Sequence, residues 1–253
     1  MARELPVTAP RSLRPWVADV AVLPGAQSLV HVPDPATALV FRTTVARHSD
    51  LMVVGPRTRA SYYGGKDFPL CLRIRLRPGA ARPLLGVPLR ELVDRVVPLA
   101  DLWEDSTGLP YRLASLGPDP RLVLRHLEAA LLARIAAQTA EDLARGELVA
   151  TAAEALAVRQ QPLPALARRL AVSERHLRDL FTDGVGLAPK RFARISRLRG
   201  VLDSGRTRAV GWSHLAAATG YYDQSHMTAE FRAMMGVPPT AFFAGRLPSL
   251  QSC

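Results

Sequence analysis

The sequence predicts an α+β protein in two parts. Residues 1–140 form a small β-barrel-like region with flanking helices, and residues 141–253 form an all-α region with two helix-turn-helix units. Three observations carry this expectation. Residues 28–76 read as short β-branched runs separated by Gly and Pro. From Gln138-Thr139 onward, helical patterns follow one another almost without a break. Within that helical part, one plan of short helix, tight turn, capped second helix and Gly/Pro stop occurs twice, first over Leu163–Phe192 and again over Trp212–Phe243.

The composition is that of a chain able to bury a core, with 48% hydrophobic and 22% charged residues among 253. A formal charge of +11 and a pI near 10.8 suit a polyanionic partner. The excess does not single out one half: residues 1–140 hold 18 basic and 12 acidic side chains, and 141–253 hold 15 and 10. Arg supplies nearly all of it, Lys66 and Lys190 being the only lysines, and a GC-rich coding sequence would give the same bias. Cys71 and Cys253 make neither a zinc spacing nor a disulfide framework, which fits a reducing compartment. The N-terminus lacks the apolar core of a signal peptide, and no run of ~18 apolar residues is present. A cytoplasmic location without membrane association is therefore expected.

In chain order, strands are expected at Ser28–Val32, Ala38–Thr44, Asp50–Val54, Arg59–Tyr63 and Leu70–Leu76. Leu72, Ile74 and Leu76 alternate with Arg73 and Arg75, the mark of a strand with one buried face. Strands this short and close suggest a small barrel or sandwich, with room for a small-molecule pocket. Arg42, Arg57, Arg59, Arg73, Arg75, Arg77 and Arg82 either bind an anionic effector or form a solvated strand face. His31 and His48 stand alone, without the Cys or carboxylate neighbours a metal requires. Short helices are expected at Val87–Val97 and Val97–Trp103, then a loop to about Pro120. Arg121–Ala137 is a helix with Leu122, Leu124, Leu127, Leu131, Leu132 and Ile135 on one broad face, suited either to dimerisation or to packing on its own barrel.

The all-α part opens with an Ala-rich helix, Glu147–Arg159. A short helix at Leu163–Ala171 leads through Val172 to Ser173, the N-cap of a helix over Glu174–Thr182. Leu177, Leu180 and Phe181 face the core, Arg175, Arg178 and Asp179 face outward, and Glu174 and His176 lie at the margin. Gly184 and Gly186 end this helix and Pro189 opens the next, Lys190–Asp203. Lys190, Arg191 and Arg194 are candidate phosphate contacts on that connecting helix, whereas Arg197 is expected to bridge internally. The plan then repeats: Trp212–Thr219, a turn at Gly220, and Asp223 capping Gln224–Met235. Met227 and Phe231 point inward. Gln224, Ser225, Thr228 and Ala229 point outward, with functional groups able to meet adenine, phosphate or a thymine methyl. Gly236, Pro238 and Pro239 stop the helix, and Thr240–Phe243 covers the core. Two such units in one chain can enter successive major grooves about 34 Å apart on one face of DNA.

These residues resemble the AraC/XylS family of bacterial transcription regulators over roughly Glu147–Phe243. The most specific part is Gly220-Tyr-Tyr-Asp-Gln-Ser-His-Met, Phe231 and Gly236-Val-Pro-Pro239 with the following aromatic. The first unit agrees through Ala167, Leu170, Ser173, Leu177, Phe181, Gly186, Pro189, Phe192 and Arg197-Leu198. The resemblance implies that Arg175, Arg178 and Asp179, then Gln224, Ser225, Thr228 and Ala229, are base-reading positions, with Ser173 and His176 beside them. It also implies a cupin-like N-terminal barrel that binds an effector or dimerises. Pro78-Gly79, Gly86-Val-Pro88 and Pro98–Trp103 look like an N-terminal domain of actinobacterial members with no assigned ligand. Glu174 and Asp179 depart from the pattern, because carboxylates repel phosphate; they are expected to position Arg175 and Arg178, or Asp179 to accept from a cytosine amine.

The expected function is sequence-specific DNA binding by a transcriptional regulator, effector-responsive through its N-terminal part, with no enzymatic activity and no cofactor. Expected partners are double-stranded operator DNA, a small-molecule effector, RNA polymerase and a second copy of the chain. Two alternatives are enzymes: an alkyl-DNA repair methyltransferase fusion, which needs a nucleophilic Cys, and a metal-cupin, which needs a His/Glu cluster.

Overall fold

The computed structural model describes residues 4–23, 25, 28–44, 48–65, 68–158, 161–205 and 211–250. The sheet-rich part contains β1 (Leu5–Val7), β2 (Val17–Val22), β3 (Ser28–His31), β4 (Ala38–Thr43), β5 (Ser49–Val54), β6 (Ser61–Gly64) and β7 (Leu70–Leu76). These are followed by α1 (Ala81–Leu85), β8 (Val96–Pro98), α2 (Leu109–Ala114) and α3 (Pro120–Ala136). One sheet has the order β1-β2-β7-β4-β5-β8, and β3 pairs with β6 in a second. The eight strands thus make the expected sheet-rich region, but among the described residues they do not close into a barrel.

Register explains the two faces of the larger sheet. Leu39 lies opposite Ile74 and Val53, and Phe41 opposite Leu72 and Leu51. All six are buried, as is Val20 opposite Ile74. Because side chains alternate, Arg73 and Arg75 necessarily project from the other face. There Arg73 binds Glu4 through two bonds of 2.7 Å, and both arginines reach Asp19, at 3.1 and 3.2 Å. Arg42 crosses to Asp50 at 2.8 Å. This face is therefore an arginine–carboxylate layer, not a row of free cations.

The apolar face is covered by helices. Val123, Leu124, Leu127 and Leu131 of α3 lie buried in the same cluster as Leu39, Phe41 and Ile74, so α3 packs back on its own sheet. Trp103 joins them, its indole N–H donating to the Leu84 carbonyl at 2.9 Å. The helices expected over Val87–Val97 and Val97–Trp103 are instead 3-10 turns at Leu89–Leu92 and Leu99–Asp101, flanking β8. Pro88 and Pro98 fix extended backbone before each turn, and Asp94 takes a left-handed φ of 56°, so no α-helix can run through.

The remaining chain is α4 (Ala140–Ala157), α5 (Leu163–Arg169), α6 (Glu174–Val185), α7 (Pro189–Ser204), α8 (Trp212–Ala218), α9 (Gln224–Met235) and α10 (Pro239–Phe243). α4 starts earlier than Glu147 because Thr139 and Asp142 form a reciprocal capping box. Its Ala-rich face packs on α6 and α7, and it also touches α1. Arg159 and Gln160, at the expected end of this helix, lie outside the described residues, as does Cys253. α6 runs through Gly184 to Val185, since Gly186 is the residue with the left-handed φ, 87°. No helix among the described residues is long and apolar enough to cross a membrane.

Candidate nucleic-acid interface

The two helical units are built by the same local chemistry. In the first, the Val172 N–H donates to the Ala167 carbonyl at 3.1 Å, closing α5, and Ala171 holds φ 54°. In the second, the Tyr221 N–H donates to the Ala216 carbonyl at 2.9 Å, and Gly220 holds φ 79°. Glycine adopts this conformation freely, whereas Ala171 is strained in the equivalent place. Each following helix is capped from its side chain: Ser173 Oγ accepts from the His176 N–H at 3.1 Å, and Asp223 Oδ1 from the His226 N–H at 2.7 Å. A cap satisfies one of the orphan donors of the first turn and fixes where the helix begins.

Equivalent apolar residues then seat each helix. Leu177 and Phe181 of α6 are fully buried beside Leu166 and Ala167, and Met227 and Phe231 of α9 beside Leu215 and Ala216. Phe181 meets Phe192 edge-on at 5.1 Å, and Phe231 meets Phe242 at 5.7 Å. With the inner faces so fixed, the opposite faces point to solvent. Ser173, Arg175, His176, Arg178 and Asp179 are exposed on α6. Gln224, Ser225 and Ala229 are exposed on α9, with Thr228 half-buried. Leu180 is half-buried at the edge of the α6 core. Gln224, Ser225, Thr228 and Ala229 line one shallow concavity together with Arg232, Ala233 and Gly236.

Arg232 was not among the sequence candidates, although its spacing of four from Thr228 and eight from Gln224 places all three on one helical face. Tyr222 is a second addition. It has no counterpart in the shorter Ala171-Val172-Ser173 turn and is 93% exposed. On α6, Arg175 is 91% exposed and only 4.0 Å from Asp179, a loose pair that a surface setting makes weak. Arg178 has no ion pair among the described residues.

The connecting helix divides its cations. Lys190 and Arg191 are exposed, but Arg194 and Arg197 both bind Glu230 of α9, at 2.7 and 3.4 Å. Arg197 also lies over the Tyr221 ring at 5.2 Å. Burial pushes the Tyr221 hydroxyl up to about 12, helped by the Glu230 charge, so it stays protonated beside these arginines. This network ties α7, the turn and α9 into one body. Arg194, a candidate phosphate contact by sequence, is thus already engaged within the protein.

Burial raises the Cys71 thiol to about 11, leaving scant thiolate near neutral pH. Burial and the nearby Arg57 lower His31 to about 4, and its ring packs edge-on against Tyr63 at 5.6 Å. Among the described residues no group of three or more His, Cys, Asp or Glu side chains is placed to hold a metal.

Two capped, core-seated helices, each with a polar outward face, define a protein with a double helix-turn-helix domain. Residues 166–245 match the family model described as a helix-turn-helix domain, and residues 7–98 match a domain of unknown function, DUF6597. Residues 166–245 are therefore a helix-turn-helix domain. Comparison with curated proteins finds no match.

Among solved structures, the chain is similar to the C-terminal domain of AraT, a response regulator from Geobacillus stearothermophilus. That match has 18% identity, covers 42% of this chain and 87% of that one, and has a TM-score of 0.36. It is also similar to the DNA-binding domain of AdpA in complex with a target DNA, at 26% identity, with 40% and 90% of the chains covered and a TM-score of 0.36. ToxT from Vibrio cholerae matches at 9% identity over 89% of this chain and 95% of that one, with a TM-score of 0.44.

Proposed function

We propose that this protein is a sequence-specific DNA-binding transcriptional regulator of the AraC type that reads its operator as a single molecule, with α6 and α9 as recognition helices and the N-terminal part as the effector-responsive element. The observation that supports the first half is the repeated capped turn, which presents two polar helix faces from one continuous core. Arg178 and Gln224 are the side chains best suited to base edges, since Arg pairs with guanine and Gln with adenine through two bonds each. Lys190 and Arg191 hold phosphate, as does Arg194 in so far as Glu230 leaves it free. On this reading Arg178→Ala broadens base preference at one position by about 1–3 kcal/mol. Binding to an operator series with each base at that position measures it, and equal weakening on every sequence would make Arg178 a phosphate contact instead.

The route from effector to DNA is proposed to run through the ends of the recognition helices. The last carbonyls of a helix lack intrahelical partners. At α9 they are met by the sheet region: the Ala60 N–H donates to Met234 O at 2.8 Å and the Tyr62 hydroxyl to Met235 O at 2.6 Å. At α6, Arg90 pairs with Asp183 in the last turn. A ligand that moved the sheet region would thereby move both helices. Tyr62→Phe is expected to cost about 0.5–1.5 kcal/mol of folding stability and to shift operator affinity. Denaturant unfolding and DNA titration on the same variant check both, and unchanged operator affinity would uncouple this contact from DNA reading. A cytoplasmic site of action and recruitment of RNA polymerase complete the proposed picture.

A further inference from the structure

Ser213, the second residue of α8, donates its hydroxyl to Oε1 of Gln224, the first residue of α9, at 2.9 Å. Both side chains are exposed. The bond is not needed to join the helices, because Leu215, Ala216, Met227 and Phe231 already bury the seam between them. What it fixes is the direction of a long, otherwise freely rotating amide. An amide oxygen has two lone pairs and the NH2 group two donors. Ser213 takes one lone pair, leaving the other and both N–H groups, the set that bidentate pairing with adenine requires.

The first unit offers no counterpart. Pro164 is the second residue of α5 and has no donor, and Glu174, the first residue of α6, is an acceptor only. We infer that Ser213 is a positioning residue that presets Gln224 for a base edge, giving the second unit a preorganised reader that the first lacks. This inference rests on the proposal that α9 reads bases.

The test compares wild type, Ser213→Ala, Ser213→Thr and Gln224→Ala on operator DNA selected by the wild-type protein, with each base placed in turn at every position. Gln224→Ala should flatten preference at one position. Ser213→Ala should reduce discrimination there by about 2- to 10-fold, the equivalent of ordering one side chain on binding, while leaving affinity for random DNA unchanged. Ser213→Thr, which keeps the hydroxyl, should restore it. If Gln224→Ala altered preference nowhere, the base-reading role of α9 at this residue would fall and the inference with it. If Gln224→Ala acted and Ser213→Ala did not, the positioning role alone would be overturned. Weakening by Ser213→Ala that is equal on all DNA would make Ser213 a phosphate contact, again overturning it. Thermal melts of the four proteins separate these outcomes from unfolding.

Discussion

Replacing Asp34 with Ala is expected to lower folding stability by about 3–5 kcal/mol, the cost of removing one partner from a buried ionic cluster. Asp34 is 4% exposed and accepts from Arg75 through two bonds of 2.6 and 2.9 Å. It also pairs with Arg199 of α7 at 3.3 Å and accepts from the Ala36 N–H at 3.0 Å. Without the carboxylate, Arg75 keeps only Asp19, and Arg57, paired to Asp34 through backbone bonds of 2.8 and 2.9 Å, loses a compensating charge. Since Arg199 sits on the helix that joins the two helix-turn-helix units, the same change should also loosen the DNA binding proposed for them.

The pH dependence has a definite sign. Burial alone would raise the Asp34 carboxyl, but the Arg75 and Arg199 charges and the hydrogen bonds outweigh it and hold it below the ordinary value. A group depressed in the folded state contributes its full stabilisation above the unfolded value of about 3.9 and loses it as pH falls through the folded one. The gap between wild type and Asp34→Ala, measured by denaturant unfolding, should be largest near neutral pH and shrink below about pH 4. A gap under about 1 kcal/mol at pH 7, or one that widens in acid, would refute the role given to this cluster.

A second large effect is expected from Gly186→Ala, read against Gly236→Ala. Gly186 ends α6 and Gly236 ends α9, both with left-handed backbone, φ 87° and 77°. An L side chain there costs roughly 1–2 kcal/mol. At Gly236 that is the whole cost, because the nearest neighbour of an added Cβ is Pro248 Cγ at 3.6 Å. At Gly186 the Cβ would stand 2.7 Å from the Leu89 carbonyl oxygen and 3.0 Å from its carbon. Backbone atoms cannot swing aside, so the 3-10 turn Leu89–Leu92 must back away from α6. Overpacking of this kind adds about 1–3 kcal/mol, and Gly186→Ala should be the less stable variant by that margin. Equal denaturation midpoints would mean that the sheet region does not hold the first unit in the way described.

Legibility in the sequence followed the range of the interactions. Caps and stops act within a few residues, so Ser173, Asp223, Pro189 and Gly236 could be placed from the chain alone, and the outward faces of α6 and α9 followed from helical period. β2 escaped because a register irregularity between Val17 and Asp19 breaks its alternation. β8 escaped because it contains Pro98, which only an edge strand accommodates. The internal bridge of Arg197 to Glu230 was expected, but the partners of the strand arginines were not legible. Arg73 and Arg75 find Glu4, Asp19 and Asp34 across separations of 41 to 69 residues, and no local pattern marks such partners. For the same reason Ser213 could not be connected to Gln224, nor Tyr62 to the end of α9, until the packing of α8 on α9 and of β6 on the helical part was in view.

The central claim, that one chain reads two successive grooves through α6 and α9, is tested most directly by selecting bound fragments from random DNA with the purified full-length protein. The account predicts a site with two dissimilar sequence blocks whose centres lie about 10–10.5 base pairs apart, and loss of binding when about five base pairs are inserted between them. A single block, or an inverted repeat of one block, would contradict it, because either result would mean that only one unit of each chain reads sequence.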